Sequence, residues 1–164
     1  NPTDFASMTI SQQQPQTDTL WHAWFDGSSA PNPGKMGVGI VLIAPNGGCT
    51  EKALPLQRCG CNNEAELRAL ALTLEMAADA GARSIEIRSD SKAAVDWVNG
   101  TDSTEIQPLA GLVAAIREQQ SRFASVSLNW VPRHKNKEAD RLSRRALGLS
   151  ETESPAKDRN RKRR

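Results

Sequence analysis

The chain has 164 residues, 38% of them hydrophobic, with a formal net charge of +2. That length suits one domain with a substantial core. No run approaches the ~18 apolar residues that a membrane span needs, and no positively charged leader precedes an apolar stretch, so we expect a cytoplasmic chain without a membrane partner.

Residues 1–18 are rich in Thr, Ser, Gln and Pro, show no periodicity, and read as a disordered arm. The domain is assigned to 19–148. Its first strand covers 19–26, through the apolar run Leu20-Trp21-His22-Ala23-Trp24-Phe25, and Asp26 stands at its end. Ala30-Pro31-Asn32-Pro33-Gly34 follows as a turn, because proline lacks an N–H donor and fixes φ. A second strand is predicted at 36–44. Pro45-Asn46-Gly47-Gly48 turns the chain into a third strand from Cys49 to Gln57, broken near Pro55.

Asn62 to Ala80 is the best helix. Leu67, Leu70, Ala71, Leu74, Ala77 and Ala78 recur at helical spacing, Asn62 or Asn63 can cap it, and Gly81 stops it. Ser84 to Ser89 is strand four. A short helix follows from Lys92 to Val98, with Ser91 as its cap. Pro108 opens the next helix, to Phe123. Val126 to Val131 is strand five, and the last helix runs from Asn136 or Lys137 to Leu147. Residues 149–164 read as a flexible basic tail. Within it, 157–164 carry six basic residues and one acidic, so the remainder of the chain has a net charge of −3.

The order βββαβααβα predicts an α/β layer fold. The first three strands, joined by tight turns, should be antiparallel. Strands four and five return after helices and should run parallel to the first. Cys49, Cys59 and Cys61 are an odd set without metal-ligand spacing and read as reduced thiols.

Four acids sit where elements begin or end: Asp26, Glu66, Asp90 and Asp140. Parallel neighbouring strands would set Asp26 beside Asp90. Glu66 and Asp140 lie near the starts of their helices. Such a group repels itself unless cations neutralise it. Ligands that are all oxygen select a hard ion, Mg²⁺ or Mn²⁺. Carboxylates bridging two such ions would suit phosphodiester hydrolysis.

Four motifs occur in this order: Asp26-Gly-Ser…Asn32-Pro-Gly34, Asn62-Asn63-Glu64-Ala65-Glu66-Leu67, Ser89-Asp90-Ser91, and Asn136-Lys-Glu-Ala139-Asp140. Together they resemble type 1 ribonuclease H, from about Leu20 to Leu147. The resemblance implies a ribonuclease H-like fold with a five-stranded mixed sheet flanked by helices. It implies a metal-dependent endonuclease that cuts the RNA strand of RNA/DNA hybrids with two ions per site, leaving 5′-phosphate and 3′-hydroxyl ends. Asp26, Glu66, Asp90 and Asp140 would be the catalytic metal ligands. Ser29, Ala30, Asn32 and Asn62 match family positions that contact the RNA strand, where the 2′-hydroxyl distinguishes ribose. Asn62 can serve as a helix cap as well.

The sequence departs from the family in three places. The histidine expected ten residues before the last aspartate is Trp130, and His134 lies only six before Asp140. His134 either assists the attacking water or product release, or is an exposed loop residue. The phosphate-pocket Arg and Thr are Cys59 and Cys61. The basic protrusion is replaced by the acidic stretch 101–105, which leaves the tail as a candidate tether to phosphates. Trp97 reads as a core residue or a stacking platform. Two rival readings are a catalytically weak nucleic-acid-binding module of the same fold, and an excised ribonuclease H domain of a reverse transcriptase. Nothing in the sequence calls for more than a monomer.

Overall fold

The computed structural model describes residues 19–149. The arm assigned to 1–18 and the tail from Ser150 onward lie outside the described residues. Five strands form: β1 (Leu20–Ala30), β2 (Gly34–Ile43), β3 (Cys49–Gly60), β4 (Ser84–Ser89) and β5 (Ser125–Trp130). They make one sheet in the order β3-β2-β1-β4-β5. β1–β2 and β2–β3 pair antiparallel, and β4 and β5 continue the sheet parallel to β1.

Two strands run past their predicted ends. β1 does not stop at Asp26, because Gly27, Ser28 and Ser29 are small enough to stay extended and pair with Val38, Gly37 and Met36. The turn shrinks to Pro31-Asn32-Pro33, and Asp26 stands inside the strand opposite Gly39. β3 likewise runs through Pro55 to Gly60. Proline is tolerated there because β3 is an edge strand and the register with β2 shifts beside it, between Lys35 and Gly37.

Four helices cover the sheet: α1 (Asn62–Asp79), α2 (Lys92–Asn99), α3 (Leu109–Gln120) and α4 (Lys137–Ala146). The apolar stripes of α1, α2 and α3 share one core with the strands. Leu67, Leu70, Leu74, Val95, Val113 and Ile116 pack there with Phe25, Ile40, Ile85 and Ile87. Trp97 packs against the same cluster, which supports its core reading. α4 packs on β1, β2 and β3 through a different surface that buries Ser143 and Arg144 beside Ala139 and Leu142. None of the described helices is long and apolar enough to cross a membrane.

The helix caps differ in one place from expectation. Ser91 caps α2 as predicted, accepting from the Ala94 N–H. The cap of α1 is neither asparagine but Cys61, whose sulfur accepts from the Glu64 N–H at 3.4 Å. Asn62 is drawn away because its carboxamide oxygen is taken by Ser29.

Candidate active site

Asp26 projects from β1, and the residue after it decides what can approach. A Cβ on Gly27 would lie 2.2 Å from both the carbonyl carbon and the oxygen of Ala65, and 2.5 Å from the Glu66 nitrogen. Only glycine admits the start of α1 so close to the strand. The same contact delivers Glu66, whose Oε1 accepts from the Gly27 N–H at 2.6 Å. Asp90 follows the end of β4, and the parallel pairing of β1 with β4 brings it beside Asp26.

Asp26, Glu66 and Asp90 each offer an oxygen within 4.8 Å of the others. Asp26 is only 2% exposed and Glu66 9%. Carboxylates this close and this buried favour a bound cation over mutual repulsion. The donor set is all carboxylate oxygen, without histidine or cysteine, and therefore fits a hard divalent ion.

The fourth acid is placed differently. Asp140 lies in the first turn of α4 and is not one of the three converging acids. Its carboxylate is 3.6 Å from Nη1 of the buried Arg144, one turn along the helix. It remains close to the group, since the Ser143 hydroxyl lies within hydrogen-bond reach of both the Asp140 carbonyl and Asp26 Oδ2. His134 sits exposed in a short 3-10 turn, Arg133–Lys135, that leads into α4.

Behind the acids stands Asn136, 1% exposed. Its amide nitrogen donates to the Phe25 carbonyl at 2.9 Å and to Asp90 Oδ1 at 3.3 Å. Trp130 borders the same site, 49% exposed, with its indole N–H donating to the Asp90 carbonyl at 3.3 Å.

The other predicted contact residues gather one hairpin away. The Ser29 N–H donates to Asn62 Oδ1 at 2.8 Å, and the Asn62 N–H donates to Asn32 Oδ1 at 3.0 Å. The Ser29 hydroxyl can donate to either asparagine oxygen, each at 3.1 Å. Both carboxamide oxygens are thereby engaged within the protein. Their NH₂ groups have no partner among the described residues, and each is a double donor. Ala30 ends β1, paired with Lys35. Of the two cysteines replacing the phosphate-pocket residues, Cys59 is exposed and Cys61 partly so, both as free thiols.

Comparison with known proteins decides the family. A family model described as reverse transcriptase-like matches residues 24–146. The ribonuclease HI of Halobacterium salinarum is 36% identical over 147 residues, spanning 90% of this chain and 72% of that protein. The chain belongs to the ribonuclease H family of enzymes. Solved ribonuclease H structures superpose on it. RNase H1 from the same archaeon gives a TM-score of 0.75 at 38% identity, covering 79% of this chain and 98% of the other. LC11-RNase H1, solved in complex with an RNA/DNA hybrid, gives 0.71 at 26% identity, covering 78% and 96%. The bifunctional protein Rv2228c of Mycobacterium tuberculosis is 34% identical over 124 residues, 74% of this chain but 34% of its own length.

Within this candidate site, sequence reasoning missed Ser143 and Arg144. Their only signal was spacing. They lie three and four residues after Asp140, on the face of α4 that carries it.

Proposed function

We propose that this chain hydrolyses the RNA strand of RNA/DNA hybrids, leaving 5′-phosphate and 3′-hydroxyl ends. The observation that carries the reading is the convergence of Asp26, Glu66 and Asp90 within 4.8 Å beside the interior strands β1 and β4. These three acids, with Asp140 from α4, would hold two divalent cations, Mg²⁺ or in its place Mn²⁺. Such ions supply an activated water and stabilise the charge that develops on the leaving oxygen.

The chain's own residues bind and orient. Gly27 holds Glu66 through its N–H, and Asn136 holds Asp90. The NH₂ groups of Asn32 and Asn62 offer donors to the RNA strand, and the small residues Ser29 and Ala30 let the backbone approach the minor groove. The 2′-hydroxyl there separates ribose from deoxyribose. His134, exposed before α4, would move a proton or assist product release.

A gel assay with one labelled RNA strand tests the reading. The strand is offered alone, in double-stranded RNA and in an RNA/DNA hybrid, with Mg²⁺, Mn²⁺ or EDTA. Metal-dependent cutting of the hybrid alone is expected. Asp26→Asn should abolish cutting while hybrid binding persists. Cutting by Asp26→Asn within tenfold of the unaltered protein would remove Asp26 from the ligand set. Binding without cutting in either metal would favour the non-catalytic module instead.

A further inference from the structure

Helix α4 reaches the acids through a hydroxyl. Ser143 is fully buried, at 0% exposure. Its Oγ lies 2.5 Å from Asp26 Oδ2 and 3.0 Å from the Asp140 carbonyl oxygen, while the Ser28 hydroxyl approaches it at 3.4 Å. A serine hydroxyl has one hydrogen, so these two acceptors compete. The carboxylate wins, being nearer and charged, since charge-assisted bonds are about twice as strong as neutral ones. Ser28 then donates to the lone pair that Ser143 leaves open.

So short a side chain reaches Asp26 only because the helix lies almost on the strand. A Cβ on Gly39, the residue paired with Asp26, would be 2.2 Å from the Ala139 carbonyl oxygen and 2.5 Å from the Ser143 nitrogen. Gly39 and Ser143 form a matched pair across the interface. Asn136 adds a second tether at the start of α4, to the Phe25 carbonyl. Asp140 lies between the two tethers on the same helix.

We propose that Ser143 is a positioning residue for the metal site. By anchoring Oδ2 it fixes the rotation of the Asp26 carboxylate, and with it the aim of that group toward Glu66 and Asp90. The same bond ties the helix carrying Asp140 to the strand carrying Asp26. The proposal rests on the metal-site reading above and assigns a role to a residue outside the four acids. Hydrogen-bond partners of metal ligands typically change metal affinity about 10- to 100-fold when removed.

The test measures Mn²⁺ binding to the full chain by titration calorimetry, together with the rise in Tm on adding Mn²⁺. It compares the unaltered protein with Ser143→Ala, Ser143→Cys and Asp26→Asn. Cysteine keeps nearly the same shape but donates weakly. We expect both Ser143 variants to bind Mn²⁺ about tenfold more weakly or worse, with a smaller Mn²⁺-induced Tm rise. Their affinity for hybrid in EDTA should stay within about twofold of the unaltered protein. If Asp26→Asn loses Mn²⁺ binding while both Ser143 variants retain it within twofold, Ser143 is ordinary packing and the proposal falls. If neither serine variant folds without metal, Ser143 is structural and the proposal falls equally. If Asp26→Asn itself binds Mn²⁺ normally, the metal-site reading fails, and the role of Ser143 fails with it.

Discussion

The two faces of the sheet are held in different ways. On one face α1, α2 and α3 bury a continuous apolar surface, with Leu67, Leu70, Leu74 and Ile116 at its centre. On the other, α4 sits over Gly37 and Gly39 and is fixed by polar bonds from Asn136 and Ser143. The first face draws its stability from area, which is non-directional and tolerates loss in proportion to the surface removed. The second depends on clearance and register. A shift that the apolar face would absorb would carry Ser143 and Asp140 away from Asp26. The site is built where these two kinds of packing meet, with Glu66 arriving from the apolar side and Asp140 from the polar side.

The sharpest way to break that contrast is a pair of substitutions. Gly39→Ala puts a methyl group into the backbone of α4, so the helix must move. We expect a stability loss of about 3 kcal/mol by urea denaturation, and a fall in hybrid cleavage of more than about a hundredfold, since misplacing catalytic groups by about 1 Å is that costly. Leu70→Ala should destabilise by a similar amount, about 3 kcal/mol, yet leave cleavage by the folded fraction nearly unchanged. Equal losses of activity in the two would erase the distinction.

His134→Ala sharpens the contrast within the site. The residue is exposed and holds none of the acids, so Mn²⁺ affinity should stay the same. The catalytic rate should fall by about a hundredfold if His134 handles a proton. An unchanged rate would leave it an ordinary loop residue.

The smallest expected effect is at Asn62, which links the hairpin to α1. Asn62→Ala should weaken hybrid binding by about tenfold, equivalent to about one hydrogen bond. If the amide contacts ribose as proposed, duplex DNA binding should change less. Equal losses for both duplexes would make Asn62 a purely structural link.

Much of this was legible in the chain. Periodicity located the five strands and four helices of the described residues, and Ser91 was recognisable as a cap. Local chemistry misled where a side chain had a distant competitor. Asn62 looked like a helix cap, but Ser29, 33 residues earlier, holds its oxygen, and Cys61 caps instead. Asp26 looked like a strand terminus because prolines follow soon after it, yet pairing with β2 carries the strand four residues further.

The sequence by itself determined the element order and the apolar face, because hydrophobic period, turn chemistry and residue type act over a few neighbours; the four acids stood out through the motifs that resemble the family. Only the tertiary structure decided which acids converge. Three do, while Asp140 turns toward Arg144. It alone assigned the partner of each carboxylate: Gly27 for Glu66, Asn136 for Asp90, Ser143 for Asp26. These bonds join residues 39, 46 and 117 positions apart. No local pattern specifies a contact at that range. Gly27 on β1 and Gly39 on β2 leave room for α1 and α4 to lie against the sheet at this point.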